Sequence, residues 1–338
     1  MANNRYVDRW LKMALARQPA RRVALDAGLH ALAGLADLMP RSRRRMVGNE
    51  CIADLEYIRH HGHPQCLDII KPVGPGPFPV LVYLHGGAFA IGSKRTHRAL
   101  AAAYAAQGWL VCVVDYRLAP DHPFPAALED ACAAWTWVAA HVGANGGDVQ
   151  RMAVGGESAG ANLALALTLA CCSQRPEPFA AALFAAGPRP QSVLLYYGFL
   201  QASQPARYRR PGVSALAARV AADAARSYLG PHAERPGPAQ ALADPLCIVE
   251  TMAPPVDLPP MFIATGLDDP VAPDSQRLEA ALQRLQSPCS AHYYAGENHG
   301  FHVMFWRPQA VQCWQDSFAF LRRHDCAPSM RTTVAGAP

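Results

Sequence analysis

Arg151-Met152-Ala153-Val154-Gly155-Gly156-Glu157-Ser158-Ala159-Gly160-Ala161-Asn162-Leu163 reads as a short apolar strand, a sharp turn and the start of a helix. Its centre, Gly156-Glu157-Ser158-Ala159-Gly160, fits G-x-S-x-G, a strained turn that presents a nucleophilic serine. Small residues surround serines by chance in any Ala- and Gly-rich chain, so the flanks carry the argument. Residues 151–154 form an apolar strand pattern, and 162–169 continue as a helix. Glycines on both sides keep neighbouring Cβ atoms away from Ser158. The helix start aims N–H groups and positive partial charge at the same point.

Outward from this turn, strands and helices alternate. Upstream, 79–85 and 109–116 read as strands, with helices at 96–107 and 125–141. Downstream, 192–197, 261–265 and 291–294 read as strands, with helices at 159–173, 274–286 and 308–324. Before the alternation, strands at 55–59 and 67–71 flank a His/Gly/Pro turn, which predicts an antiparallel pair. Continuous apolar strands separated by helices predict an α/β fold, a mostly parallel sheet of about eight strands covered on both faces.

Two regions break the rhythm. Residues 6–18 place Tyr6, Trp10 and Met13 on one helical face, and 23–39 place Leu25, Leu29, Leu32, Leu35 and Leu38 on another, until Pro40 ends the helix. Residues 198–260 carry one helical pattern, at 213–228, and a Pro-rich stretch. An insertion of that length is usually a functional lid. Both regions are therefore read as a helical cap; the competing reading packs them against the back of the sheet. The expected organisation is cap helices in 1–48, core in 49–199 and 256–328, a cap insertion in 200–255 and a tail in 329–338.

A serine nucleophile needs a base, and the base needs an orienting carboxylate. Asp268 and Asp269 follow the strand at 261–265, at the carboxyl edge where open α/β sheets build their sites. Both His299 and His302 follow the last strand. Gly300 permits a tight, exposed turn beside His299, which favours His299 as the base. Acyl transfer creates an oxyanion that needs aimed N–H groups. Leu84-His85-Gly86-Gly87-Ala88-Phe89 ends a strand in a flexible turn, so Gly86 and Gly87 are candidate donors, with Ala159 after the serine as a third. Phe89 and Phe301, beside these loops, are candidate substrate contacts. Ser158 alone would pass for a helix N-cap; four elements in order outweigh that. His85, His97, Asp115, Arg117 and Asp130 read as scaffold groups needing polar partners. His60, His61, His63 and Cys66 have ligand chemistry, but Gly62 and Pro64 mark an exposed turn without an adjacent acid, so no metal is expected.

The chain has 338 residues, 51% hydrophobic and 17% charged, enough for a large globular core. No run of about eighteen uncharged apolar residues predicts a membrane span. Arg21, Arg22, Asp26 and His30 interrupt the N-terminal apolar stretch, which does not read as a secretion signal. The net charge of +5 has its excess in the first fifty residues, with ten Arg or Lys against four Asp or Glu. Arg43-Arg44-Arg45 lacks interleaved aromatics and reads as a solvated linker; no nucleic-acid partner is expected. Ten scattered cysteines without C-x-x-C suit small buried hydrophobes in a reducing compartment, so a cytoplasmic location is expected.

With these pieces assembled, the sequence resembles the hormone-sensitive-lipase-like esterases, the GDXG or family IV lipolytic enzymes of the α/β-hydrolase superfamily. The resemblance runs over residues 66–324. It is carried by Val80-Leu81-Val82-Tyr83-Leu84-His85-Gly86-Gly87-Ala88-Phe89, Gly92-Ser93 and Thr96-His97, then Val114-Asp115-Tyr116-Arg117-Leu118-Ala119-Pro120 and on to Asp130. Gly146-Gly147-Asp148, the serine turn, Leu258-Pro259-Pro260, Gly266-Leu267-Asp268-Asp269-Pro270 and His299-Gly300-Phe301 complete it. Residues 1–50 and 200–250 match only in length and helical character. The resemblance implies an α/β-hydrolase fold with a helical cap, a triad of Ser158, Asp269 and His299, no cofactor, and hydrolysis of short- to medium-chain carboxylic esters through an acyl-enzyme. Asp269 is the implied acid because it directly precedes Pro270. Ala88 replaces the third glycine of HGGG, Glu157 the aspartate of GDSAG, and Val271 the usual leucine after Asp-Pro; none of these removes a catalytic group. The implied partner is a small-molecule ester, and the resemblance also suggests a homodimer. Two other functions fit the same residues less well: an amide or N-acyl deacetylase using the same triad, and a non-catalytic small-molecule receptor, against which the presence of His299 argues.

Overall fold

A computed structural model describes residues 19–37, 48–186, 188–230 and 238–324. The helix expected at 6–18, the Arg43-Arg44-Arg45 linker and the tail at 329–338 lie outside the described residues. The chain order is α1 (Pro19–Asp37), β1 (Asn49–His60), β2 (His63–Pro72), β3 (Phe78–Leu84), α2 (Arg98–Ala105), β4 (Leu110–Val114), α3 (Ala126–His141), β5 (Gly147–Glu157) and α4 (Ala159–Cys172). It continues with α5 (Pro178–Ala186), β6 (Ser192–Tyr196), α6 (Ala215–Leu229), α7 (Pro245–Thr251), β7 (Met261–Gly266), α8 (Ala272–Arg284), β8 (Cys289–Tyr294) and α9 (Pro308–His324).

The strands form one eight-stranded sheet in the order β1-β2-β4-β3-β5-β6-β7-β8. β1 and β2 are antiparallel, and β2 meets β4 antiparallel; all later pairs are parallel. The β1–β2 turn has His61 and Gly62 at φ 47° and 86°, both positive as a two-residue type I′ hairpin requires. The expected alternation is therefore present, with differences at the edges. β1 and β5 run beyond 55–59 and 151–154; most of the added residues in β1 and before Arg151 in β5 are at least partly exposed, and β5 continues through two glycines after Val154, which leaves no apolar run to read. α5 and α7 were not expected; nine and seven residues are too short to display a helical period. The helix expected from 96 starts at Arg98, after a single 3₁₀ turn at Lys94–His97 capped by Ser93.

α4 is apolar on all sides, with every residue from Ala159 to Cys171 buried, as a helix enclosed between the sheet and its neighbours α3 and α5 must be. α2 and α9 meet through Tyr104 and Trp314, whose ring centroids are 5.0 Å apart. Among the described residues no helix is long and apolar enough to cross a membrane. Two registers position the site. Leu84 of β3 lies opposite Gly156 of β5, so the loop after β3 leaves the sheet beside the serine turn. Gly266 of β7 lies opposite Tyr294 of β8, so the loops bearing Asp269 and His299 leave together. The chain winds outward in both directions from β3, and crevices at such a reversal are where open α/β sheets build sites.

Candidate active site

Ser158 joins β5 to α4 with φ 54° and ψ −112°, a conformation that L-residues rarely adopt. Its surroundings hold it there. The Ser158 N–H donates to the Tyr196 carbonyl at 2.9 Å, and the Ser158 carbonyl accepts from Phe199 N–H at 3.2 Å. Both flanking glycines are required for space. A Cβ at Gly160 would stand 1.9 Å from the Leu84 carbonyl oxygen, and one at Gly156 would stand 2.5 Å from it.

The loops after β7 and β8 bring two more side chains to this turn. His299 Nε2 lies 2.9 Å from Ser158 Oγ, and His299 Nδ1 lies 2.8 Å from Asp269 Oδ2. Asp269 is buried, and its other oxygen accepts from Val271 N–H at 2.9 Å. Burial opposes a charge on His299, but the Asp269 carboxylate outweighs it and raises the pKa above the ordinary imidazole value. Asp268 is exposed at the cavity mouth, away from this chain of contacts. His302 is fully buried with Nδ1 on the Tyr197 hydroxyl at 2.6 Å, stacked on Tyr196. Burial pulls its pKa down to about 4, and it does not reach Ser158.

The expected oxyanion set needs one correction. Gly86 N–H donates to Glu157 Oε1 at 2.6 Å. An N–H has one proton, and a buried carboxylate is a strong claimant for it, so Gly86 points away from a substrate. Gly87, Ala88 and Ala159 line the cavity together with Ser158, Ala88 being held at φ 55°. The acid preceding the serine was the signal for this; its reach back to the β3 loop is not visible in sequence.

The scaffold residues have the partners their burial demands. His85 donates from Nδ1 to the Gly86 carbonyl at 2.7 Å, stacks on Tyr116, and burial pulls its pKa down to about 3. Asp130 accepts from Arg117 N–H at 2.8 Å and meets His60 Nε2 at 2.8 Å. Asp115 accepts from Lys94 N–H at 2.6 Å. Among the described residues no three His, Cys, Asp or Glu gather as a metal site would require. His97 differs from the others, because it lines the cavity and its Nε2 meets Glu157 Oε1 at 2.6 Å.

A cavity of about 630 Å³ opens onto Ser158 and His299, within the range of small-molecule sites. Its floor includes Phe89, Tyr197 and Phe199; its walls include Leu29 and Ala33 of α1, Val213, and Ala217, Val220, Ala221 and Ala224 of α6. Phe89 stacks on Tyr228 with centroids 3.6 Å apart. Phe301 is not part of the lining; it is fully buried against Tyr294 and Tyr197. The one-turn helix that starts at Phe301 directs its ring into the core, so its nearness to His299 in sequence misleads. α1 reaches the cavity by gripping the loop after β3. Asp26 accepts from Gly92 N–H at 2.9 Å, and His30 Nε2 meets Ser93 Oγ at 2.7 Å. Tyr197 and the α6 alanines were not anticipated. Their only sequence signal is the spacing of Ala217, Ala221 and Ala224 on one helix face.

Residues 81–303 match the family described by the α/β-hydrolase fold. Esterase LipI of Mycobacterium tuberculosis is 34% identical over 233 residues, covering 66% of this chain and 65% of that one. Carboxylesterase NlhH of the same species is 37% identical over 166 residues, covering 46% and 49% respectively. The chain thus spans less than two thirds of the length of these relatives. Among solved structures, an esterase from the bacterial hormone-sensitive lipase family is 25% identical with a TM-score of 0.70, over 96% of this chain and 100% of that one.

Proposed function

The chain belongs to the α/β-hydrolase fold family, among its hormone-sensitive-lipase-like members, and on that premise we propose that it is a serine carboxylesterase acting on short- to medium-chain esters. The observation that carries this reading is the continuous path Ser158–His299–Asp269, with contacts of 2.9 and 2.8 Å. Ser158 Oγ attacks the ester carbonyl carbon while its proton passes to His299 Nε2. The carbonyl electron pair moves onto oxygen, where Gly87, Ala88 and Ala159 N–H groups receive it. Asp269 keeps the proton on Nδ1 of His299 and stabilises the imidazolium. Collapse of the tetrahedral intermediate breaks the ester bond, and the departing alkoxide takes the proton from His299. Water then gives a proton to His299 and attacks the acyl carbon. A second collapse releases the carboxylic acid and returns the proton to Ser158.

α1 and α6 serve as the cap, and their small or aliphatic side chains suit an acyl chain. The names of the relatives, esterase and carboxylesterase, support the ester reading. Nine cysteines among the described residues are free thiols, which supports a reducing, cytoplasmic setting. Each step has a protein group, so the rate should survive dialysis against a chelator. A panel of p-nitrophenyl esters from acetate to decanoate with matched anilides, together with a fluorophosphonate, tests the reading. Ester turnover and an adduct on Ser158 are expected. Faster anilide cleavage would make the protein an amidase, and neither turnover nor adduct would remove the triad altogether.

A further inference from the structure

A second histidine–carboxylate pair lies directly before the nucleophile, under the oxyanion loop. Glu157 Oε1 accepts from Gly86 N–H and faces His97 Nε2, each at 2.6 Å, and its other oxygen accepts from the Tyr83 hydroxyl. His97 also faces acceptors on its far side. Its Nδ1 lies 3.2 Å from the Ser93 carbonyl oxygen and 2.8 Å from Thr96 Oγ1. Thr96 Oγ1 also lies 2.7 Å from the Ser93 carbonyl oxygen. Carbonyl and carboxylate oxygens only accept. His97 Nε2, facing a carboxylate, therefore carries a proton. Burial disfavours a charge on the ring, but Glu157 outweighs it and raises the His97 pKa. Burial likewise disfavours the carboxylate, while His97 and Tyr83 hold Glu157 below the usual carboxylate range.

Resting on the esterase reading, we propose that the Glu157–His97 pair is a positioning device for the oxyanion hole. Glu157 is covalently next to Ser158, and Gly86 is covalently next to Gly87. One buried carboxylate thus ties the nucleophile and the donors of Gly87 and Ala88 into a single unit. The strength of that tie comes from charge, because hydrogen bonds to an ionised acceptor are about twice as strong as neutral ones. Neither residue touches the reacting atoms; both act through the loop.

Glu157→Gln keeps the shape and removes the charge, and His97→Gln removes the imidazole while keeping a donor. For each, kcat and KM are measured on p-nitrophenyl butyrate, with the inhibition constant of a trifluoromethyl ketone, whose serine adduct carries the oxyanion. In both variants kcat should fall roughly 10- to 100-fold, the cost of a small misplacement. KM should change little, and the ketone constant should rise in proportion to the loss of kcat/KM. Tyr83→Phe removes one donor from Glu157 and leaves an aromatic core residue. It should move kcat and the ketone constant together by a smaller factor, and it stands in if the other variants fail to fold. Loss of kcat with an unchanged ketone constant would overturn the proposal, as would wild-type kcat in the folded variants. A wild-type protein that neither turns over esters nor labels Ser158 defeats the esterase reading and this inference with it. Active wild type with equally active variants defeats only the inference.

Discussion

Two histidine–carboxylate pairs flank Ser158, and their difference is instructive. His299 meets Asp269 at 2.8 Å and His97 meets Glu157 at 2.6 Å. Both carboxylates are buried, and both histidine pKa values are raised by the partner. The pairs differ in what the second ring nitrogen faces. For His299 it is the Ser158 hydroxyl, which can donate, so the neutral ring is accommodated and can take a proton. For His97 it is the Thr96 hydroxyl at 2.8 Å and the Ser93 carbonyl oxygen at 3.2 Å, groups of the scaffold and not the nucleophile. One further contact sets the same pair beside the nucleophile as a base or inside the scaffold as a brace.

The sharpest way to break this contrast is to remove the reactive pair. Ser158→Ala and His299→Ala should each lower kcat by roughly 10⁴- to 10⁶-fold, with the double variant little worse, because triad members act as a unit. A spared His299→Ala, with circular dichroism showing the fold intact, would move the base elsewhere. Next comes the acid. Asp269→Asn should cost roughly 10⁴ in kcat by leaving His299 with the wrong tautomer, whereas Asp268→Asn, at an exposed residue, should cost little. Equal losses would show that charge near the mouth matters more than the Asp269 contact.

The titration of His299 sharpens the comparison further. Its pKa is raised, and only the neutral ring is a base. Ester kcat/KM should therefore fall as pH drops through that raised value, about tenfold per unit below it. In Asp269→Asn the acid limb should shift to lower pH, because the carboxylate that raises the pKa is gone. In His97→Gln the same limb should hardly move; a large shift there would mean that the two pairs are not separate. The smallest effect is expected at the cap. Ala221→Trp on α6 should lower kcat/KM for decanoate relative to acetate by roughly tenfold, the scale of a modest change in pocket fit. A uniform loss along the acyl series would mean that α6 braces the fold and does not shape the pocket.

Much of this molecule follows from local sequence. The apolar runs in β3, β4, β6 and β7 and the intervening helical patterns dictate a mostly parallel sheet, because strands buried on both faces must be continuously apolar. Gly156 and Gly160 mark the turn because no Cβ fits there. The Asp268-Asp269 pair and His299 stood out by their place after strands at the same sheet edge, His299 also by Gly300 beside it; only the family resemblance, through Pro270, singled out Asp269. Tertiary structure alone decided the rest. It directed Gly86 N–H to Glu157, 71 residues away in the chain, and His97 to Glu157 across 60. It turned the Phe301 ring into the core and brought α1 and α6 over Ser158. Periodicity and turn chemistry report the state of a few neighbouring residues. Which donor a buried carboxylate captures, and which face a helix turns to a cavity, depend on loops from distant strands leaving the sheet side by side, and that register is written nowhere in the local sequence.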